Sequence, residues 1–160
     1  MISAAEFRNV LSNFASGVTV ITTCDGDARP QGLTASAFTS VSLDPPLVLV
    51  CVDHKAQSFP ALRESDRFAV NILAIDQQEV SRRFATTGFN KFDSLPFSLS
   101  PLGLPLIEGA IAHIECVTVN QHLAGDHTIF VGQIERATIG TGEPLLYFRG
   151  RYSRLAGDTT

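Results

Sequence analysis

The N-terminal segment carries the clearest helical pattern of the chain. Its apolar residues recur at i, i+3, i+4 and i+7, the spacing of one helix face: Phe7, Val10, Leu11 and Phe14. Ser3 and Glu6 stand at the spacing of a capping box, in which each side chain satisfies the other residue's backbone N–H. The pattern predicts a helix over residues 4–15, with Gly17 as its stop.

Most other apolar residues form short runs rich in β-branched side chains, which are typical of strands. The predicted β segments are residues 18–23, 31–39, 47–52, 68–73, 110–122, 128–139 and 145–148. The run 47–52 has apolar residues of both parities and predicts a strand buried on both faces. Asp44, Pro45 and Pro46 precede it and predict a turn, because proline cannot continue a hydrogen-bonded ladder.

Two further helices are predicted between these strands. Ser58 is the expected cap of a short helix that ends near residue 64. Asp76 and Glu79 repeat the capping-box spacing and predict a helix through residue 84. Residues 86–109 show no clear period and are predicted to be loop with one short strand. Because helices do not alternate with strands, we expect a mainly β fold, a closed antiparallel barrel with two or three peripheral helices.

Length, charge and cysteine content narrow the function classes. A chain of 160 residues fits a single domain over residues 1–160. The net charge of −4 argues against nucleic-acid binding, which depends on clustered lysine and arginine. No apolar run approaches the roughly 18 residues of a membrane helix, and no signal peptide is evident, so a cytoplasmic location is expected. The three cysteines lack a C-x-x-C pair and predict free thiols without a metal site.

Residues 32–55 are the first candidate for a ligand site. Their first half places hydroxyls among small side chains: Thr34, Ser36, Thr39, Ser40 and Ser42, with Ala35 and Ala37 between them. One interpretation is the exposed face of a strand. The other is a wall that offers hydrogen-bond donors to a polar ligand, because buried hydroxyls need partners.

The candidate charged groups have the same two interpretations. Lys55 follows a predicted buried strand, with Ser58 three residues later; it is either a solvated charge or a phosphate partner. Arg82 and Arg83 are either surface charges of a helix or phosphate partners. Residues 125–127 (Gly-Asp-His) lie in a predicted tight turn, where a histidine is usually solvated. These residues alone indicate a β-barrel with a small-molecule phosphate site.

Six segments in order resemble the flavin reductase family, which has the FMN-binding split-barrel fold. They are FRNVLSNFASGVTVITT, GLTASAFTSVSLDPPLVLVCV, SRRFA, KFD, GDH and YFRGRYSRL, and they extend from about residue 7 to residue 155. The family contains the reductase components of two-component flavin-dependent monooxygenases. The resemblance implies a closed antiparallel split β-barrel with Greek-key character.

The resemblance also implies roles for individual residues. Those expected around the flavin are Thr34, Ala35, Ser36, Ser40, Val41, Ser42, Cys51, Val52, Asp53, Lys55, Ser58, Ser81, Arg82, Phe84 and Phe92. The ring is expected near Thr34 to Ser36, and the phosphate near Lys55 and Ser58. Those expected around the nicotinamide are Gly125, Asp126, His127, Phe148, Arg151 and Tyr152, with His127 as the catalytic candidate that orients the nicotinamide.

The implied activity is NAD(P)H:flavin oxidoreductase chemistry. FMN or FAD is the expected acceptor, NADH or NADPH the donor, and a separate monooxygenase the recipient of reduced flavin. The resemblance further implies a homodimer. Two rival interpretations use the same barrel: a non-catalytic flavin- or haem-binding protein, and a relative of the pyridoxamine-phosphate oxidases.

Overall fold

The structure is a computed structural model that describes residues 1–156. Its first helix, α1 (Ala4–Leu11), has the predicted capping box, with Ser3 and Glu6 each bonded to the other's backbone N–H. The helix ends at Leu11 with Ser12 as its C-cap, four residues before the predicted end. Within the described chain, none of its side chains is buried. The apolar stripe that predicted the helix therefore lies on the surface.

Twelve strands and two further helices follow in the described residues. The strands are β1 (Ser16–Gly17), β2 (Thr19–Cys24), β3 (Pro30–Ala35), β4 (Phe38–Ser42), β5 (Leu47–Asp53), β6 (Arg67–Ile72), β7 (Phe97–Leu99), β8 (Pro105–Ile107), β9 (Ala112–Ala124), β10 (His127–Ile139), β11 (Leu146–Phe148) and β12 (Arg151–Ser153). The helices are α2 (Phe59–Glu64) and α3 (Gln78–Ala85). The prediction of a mainly β fold with few helices is confirmed.

Seven strands form the main sheet, in the order β3-β2-β6-β9-β10-β5-β4. Every pairing in it is antiparallel. Three pairs are neighbours in sequence, namely β2–β3, β4–β5 and β9–β10, whereas β5 lies beside β10 rather than beside β6. Between β5 and β6 the chain therefore crosses to another part of the sheet, because β9 and β10 lie between these two strands.

The two edge strands of this sheet, β3 and β4, are consecutive in the chain. Only residues 36 and 37 separate them, and the carbonyl of Ala37 accepts the backbone N–H of Cys51 in β5. Three Cα–Cα steps of about 3.8 Å span at most about 11 Å, so the sheet has to curl until the end of β3 and the start of β4 approach each other. Within residues 1–156, no hydrogen-bonded ladder joins β3 to β4.

Several predicted details were wrong. Residues 86–109 contain two strands, β7 and β8, which form a hairpin of their own. Helix α3 begins at Gln78 rather than near Asp76, and in the described chain no side chain caps it. Ser58 does stand at the N-cap of α2, but its hydroxyl bonds Gly32 in β3 instead of the helix. For Ser58, a contact distant in sequence replaced the local one that the pattern indicated.

Buried residues form two clusters, which lie on opposite faces of β2: Ile21 belongs to one and Val20 to the other. On β5 the side chains of Val48, Val50 and Val52 are buried, whereas Leu47, Leu49 and Cys51 on the opposite face are half-buried. The prediction that this strand is buried on both faces is therefore correct for one face only. The adjoining strand β4 is more open, and its residues 39–41 are exposed.

The three cysteines are free thiols, and burial raises the pKa of Cys116 to about 12.

Among residues 1–156, no helix has both the length and the apolar character needed to cross a membrane.

Candidate functional site

The candidate site is built along the outer edge of β3, where three segments meet at the carbonyl of Gly32. Ser58 Oγ at the start of α2 donates to this oxygen at 2.6 Å, and Lys91 Nζ donates to it at 3.0 Å. The same ammonium donates to the carbonyl of Phe84, in α3, at 2.9 Å. An edge strand has unpaired backbone groups, and here side chains satisfy one of them.

Glycine is required at position 32 for this close packing. A Cβ atom there would lie 2.8 Å from Cε1 of Phe84 and 2.9 Å from the carbonyl oxygen of Ile21. One of these atoms belongs to the backbone of β2, and the ring of Phe84 is buried in the core. Because neither can move freely, the absence of a side chain sets the distance between β3 and α3.

Lys91 is a buried cation, with only 7% of its surface exposed. Loss of hydration lowers the pKa of its ammonium group below the ordinary lysine value. Its two protein partners are both neutral carbonyl groups, so they solvate the charge without neutralising it. A buried cation held in this way favours an anionic ligand beside it.

One cavity of about 180 Å³ lies between β3, α3 and the β11–β12 hairpin. Thr34, Ser36, Ser81, Tyr147 and Tyr152 provide its polar lining. Thr34 Oγ1 donates to the Ser81 carbonyl at 2.6 Å, and the Tyr152 hydroxyl donates to Ser81 Oγ at 2.9 Å. These bonds fix α3 against both β3 and the hairpin, so the walls of the cavity are preorganised.

A second cavity, of about 230 Å³, adjoins the first through Thr34 and Ala85. Its lining includes Asp53 and Lys55 at the end of β5, and the buried Lys91. We call the two cavities together the β3 trough. One end of the trough offers hydroxyls and two tyrosine rings, and the other offers two cations.

This donor set suits a flavin. The hydroxyl-lined end matches a polar ring system, and the lysine end matches a phosphate, which needs a cation and short donors. The exposed edge of β3 supplies backbone groups without bulk, since Ala35 is buried on the opposite side of the strand.

The Gly-Asp-His turn lies at the β9–β10 hairpin, close to the end of β5. His127 is opposite Asp53 in the strand register, and its Nδ1 lies 2.7 Å from Oδ1 of Asp126. Hydrogen bonding to His127 lowers the pKa of the Asp126 carboxyl group, and the charges of His127 and Lys55 lower it further. The two residues form a surface dyad, with 40% of the His127 side chain exposed.

A second histidine, His54, secures this turn. Its backbone N–H donates to the carbonyl of Asp126 at 3.0 Å, and its Nε2 lies 3.0 Å from the hydroxyl of Thr128. Its ring packs on Phe59 with the centroids 4.8 Å apart. The sequence analysis did not include His54 among the site residues, although its position directly after Asp53, an expected flavin contact, could have indicated it.

Comparison with known proteins decides the family. Residues 11–156 match the family described as the flavin reductase like domain. The chain belongs to the flavin reductase family.

Its relatives share most of its length. An NADH-dependent flavin reductase of Rhodococcus sp is 42% identical over 96% of this chain and 88% of that protein. The reductase component of a 4-nitrophenol 4-monooxygenase/4-nitrocatechol 2-monooxygenase of Rhodococcus opacus is also 42% identical, over 96% of this chain and 82% of that protein. The structure of the Streptomyces globisporus NADH:FAD oxidoreductase in complex with NAD and FAD fragments has a TM-score of 0.92 and 40% identity, covering 98% of this chain and 94% of that chain.

The structure brings some of the residues expected from the flavin reductase family to the β3 trough. Those lining it are Thr34, Ser36, Asp53, Lys55, Ser81, Phe84 and Tyr152. Four others are buried and line neither cavity of the trough: Ala35, Val52, Ser58 and Phe92. Arg82 lies over the ring of Tyr152, with Cζ 5.3 Å from the centroid.

The remaining expected residues lie apart from the trough. Ser40, Val41 and Ser42 are on the outer strand β4, and Cys51 is half-buried in the middle of β5. Phe148 and Arg151 line a separate cavity at the β11–β12 hairpin, together with Tyr152. His127 and Tyr152 were expected in one nicotinamide pocket. Tyr152 lines the trough, whereas His127 lines neither of its two cavities and lies opposite Asp53 in the strand register.

Gly32→Ala is predicted to reduce both stability and ligand binding in this flavin reductase family member. Overpacking a tight site costs about 1–3 kcal/mol, and the displaced α3 would also carry Ser81 away from Thr34. Urea unfolding measures the first effect and flavin fluorescence titration the second. Gly26→Ala is the matched control, because nothing lies within 4 Å of a Cβ at that turn position. Equal midpoints for the two variants would contradict the packing argument.

Proposed function

We propose that this chain is an NAD(P)H:flavin oxidoreductase that reduces FMN or FAD by hydride transfer. The reduced flavin is supplied to a separate flavin-dependent monooxygenase. The observation that carries the proposal is the β3 trough, whose hydroxyl-lined end continues into an end with two lysines. Relatives that are about 40% identical over most of the chain are flavin reductases and reductase components of monooxygenases.

The protein's contribution to such a reaction is position and electric field, because the electron chemistry belongs to the flavin and the nicotinamide. Thr34 and Ser36 line the end of the trough that suits the ring. Lys55 and Lys91 attract the phosphate at the other end. The fixed bonds among Thr34, Ser81 and Tyr152 hold that geometry before the ligand arrives, so little ordering remains to be done at binding.

We assign His127 to orientation of the nicotinamide. Its Nδ1 is engaged by Asp126, which leaves Nε2 directed away from the dyad. Hydride transfer moves no proton to the protein, so the imidazole has no acid–base task in that step. Gly125, with φ at +63°, makes the tight turn that presents the dyad beside Asp53 and Lys55.

We also propose that the working unit is a homodimer formed through α1. The α1 patch consists of Phe7, Val10, Leu11 and Phe14, whose exposed fractions are 50–77% in the described chain. Fully burying a large apolar side chain contributes about 1.5–3 kcal/mol. The patch is held in place from behind, because Arg149 bonds the Ser12 carbonyl and the Asn13 side chain. A second copy of the same chain would cover it.

Two finer predictions are part of this proposal. The short link between β3 and β4 supports a closed barrel, since it brings the two edges of the main sheet together at residues 36 and 37. The three free thiols support a cytoplasmic location, where cysteines remain reduced.

The reductase activity is tested by NADH and NADPH oxidation with added FMN and FAD, followed at the nicotinamide absorbance band. A flavin-dependent rate is expected with at least one of the four combinations. Flavin binding without turnover would favour the non-catalytic binding protein. If the protein showed neither flavin binding nor turnover, that result would contradict the assignment of the β3 trough.

His127→Ala is predicted to raise KM for the nicotinamide donor about tenfold, because the variant loses one hydrogen bond to a charged or polar partner. The dissociation constant of the flavin should change by less than about twofold, because His127 does not line the trough. His122→Ala is the matched control, since this histidine is exposed on the same hairpin. An unchanged KM in His127→Ala would remove His127 from the nicotinamide site.

The dimer is tested by sedimentation velocity across a range of protein concentrations. Wild type is expected at the dimer mass, and the double variant Phe7→Ser/Phe14→Ser should shift towards the monomer because the α1 patch loses its largest side chains. Leu99→Ser is the control, an exposed apolar residue in β7. A monomeric wild type would contradict the dimer, and a dimeric double variant would exclude the α1 patch as its interface.

A further inference from the structure

The hydroxyl-lined end of the β3 trough contains a short chain of hydrogen bonds that ends on a serine. The Tyr152 hydroxyl donates to Ser81 Oγ at 2.9 Å. Ser81 is only 1% exposed, and within residues 1–156 its Oγ makes no second hydrogen bond to the protein. A serine hydroxyl that accepts one hydrogen bond still has its own proton to donate. Since Ser81 lines the cavity, that proton is available to a ligand there.

The direction of this chain follows from the chemistry of the two hydroxyls. A phenol is a stronger acid than an alcohol, so Tyr152 is the better donor and Ser81 the better acceptor. The neighbouring bonds of Ser81 involve only its backbone: Thr34 Oγ1 donates to the Ser81 carbonyl at 2.6 Å, and the Ser81 N–H donates to the Gln77 carbonyl at 3.1 Å. Because hydrogen bonds in a chain polarise one another, donation from Tyr152 makes the Ser81 O–H a stronger donor.

Tyr152 also determines which way the Ser81 hydroxyl points. For a serine inside a helix the local partner is the carbonyl four residues earlier, which here belongs to Gln77. In this structure the hydroxyl is bonded to Tyr152 instead. The Tyr152 ring is itself held from two sides, by Arg82, whose Cζ lies 5.3 Å from the centroid, and by the ring of Tyr147 at a centroid distance of 5.5 Å. A fixed phenol therefore keeps the serine turned towards the cavity.

We propose that Tyr152 is a positioning residue of the reductase reaction, which acts through the Ser81 hydroxyl to favour reduced flavin over oxidised flavin. The inference rests on the proposed function, because that function places the flavin ring at this end of the trough. A hydride carries a negative charge to the ring, so the reduced flavin is a better hydrogen-bond acceptor than the oxidised one. A donor that is aimed at the ring beforehand stabilises this charge as it develops.

The competing role for the bond between Tyr152 and Ser81 is purely structural, because the bond also ties α3 to the β11–β12 hairpin. A displaced helix would weaken the binding of both redox forms of the flavin to the same extent. A lost donor would weaken the binding of the charged, reduced form most. A comparison of the two redox forms therefore separates the two roles.

The test measures anaerobic dissociation constants of oxidised and dithionite-reduced flavin, with FMN and FAD in turn, for wild type, Ser81→Ala, Tyr152→Phe and the double variant. Ser81→Ala is expected to bind reduced flavin about tenfold more weakly, because it loses a hydrogen bond to a charged group. Its loss for oxidised flavin should be about threefold, since a neutral acceptor forms a bond about half as strong. A tenfold loss confined to the reduced form would lower the two-electron potential of the bound flavin by about 30 mV.

Tyr152→Phe keeps the ring and removes only the hydroxyl, so it should lose about fivefold for reduced flavin and about twofold for oxidised flavin. The double variant should bind reduced flavin no more weakly than Ser81→Ala, because Tyr152 acts through Ser81.

Thr86→Val is the control for a disturbed helix. It removes the bond from Thr86 Oγ1 to the Arg82 carbonyl, 2.9 Å long, at the end of α3, and Thr86 is exposed and lines neither cavity of the trough. Both dissociation constants should stay within about twofold of wild type.

Three results would overturn the inference while the reductase function stands. The first is an equal loss for the two redox forms in Tyr152→Phe, and the second is a loss in the double variant that equals the product of the single losses. The third is a raised KM for NADH with unchanged flavin constants, because it would place the Ser81 hydroxyl beside the donor. Absence of flavin binding by the wild type would contradict the proposed function itself.

Discussion

The candidate site depends on how closely α3 and the segment after it approach the edge strand β3. Gly32 permits that approach, and its carbonyl then accepts the hydroxyl of Ser58 and the ammonium of Lys91. A bare strand edge invites pairing with another chain, and covering it is a common remedy. Here the cover extends over only part of the strand. The part beyond Gly32, near Thr34, remains accessible and forms the floor of the trough.

The same packing explains why a lysine is buried. Lys91 spans from the loop after α3 to two carbonyl groups, so its ammonium ties that loop to both β3 and the helix. Burial of a charge is costly unless it is well solvated by the protein, and two carbonyls provide that solvation. The site thereby acquires a fixed cation at one end of the trough. The ammonium group of Lys91 thus both holds the loop in place and provides a positive charge that attracts an anionic ligand.

Part of the candidate site followed from sequence patterns. The hydroxyl-rich stretch and the lysine after β5 indicated a polar site with a phosphate end, and Thr34, Ser36 and Lys55 do line the trough. Ser40 and its neighbours lie on β4, outside the trough, and alternation along a strand does not reveal that β4 is an exposed edge. The sequence pattern also missed Gln57, which lines the trough and accepts the backbone N–H of Gly88, 31 residues away.

The sequence by itself determined the local elements and the family: the capped first helix, the β-rich runs, the tight turns and the ordered motifs. These features depend on the side chain and its near neighbours, which the sequence contains directly. Only the tertiary structure decided which faces were buried, where Ser58 directs its hydroxyl, and that α1 presents its apolar stripe outward. Those outcomes depend on contacts between segments far apart in the chain. Gly32 is visible in the sequence, but its role in packing depends on the ring of Phe84, 52 residues later in the chain.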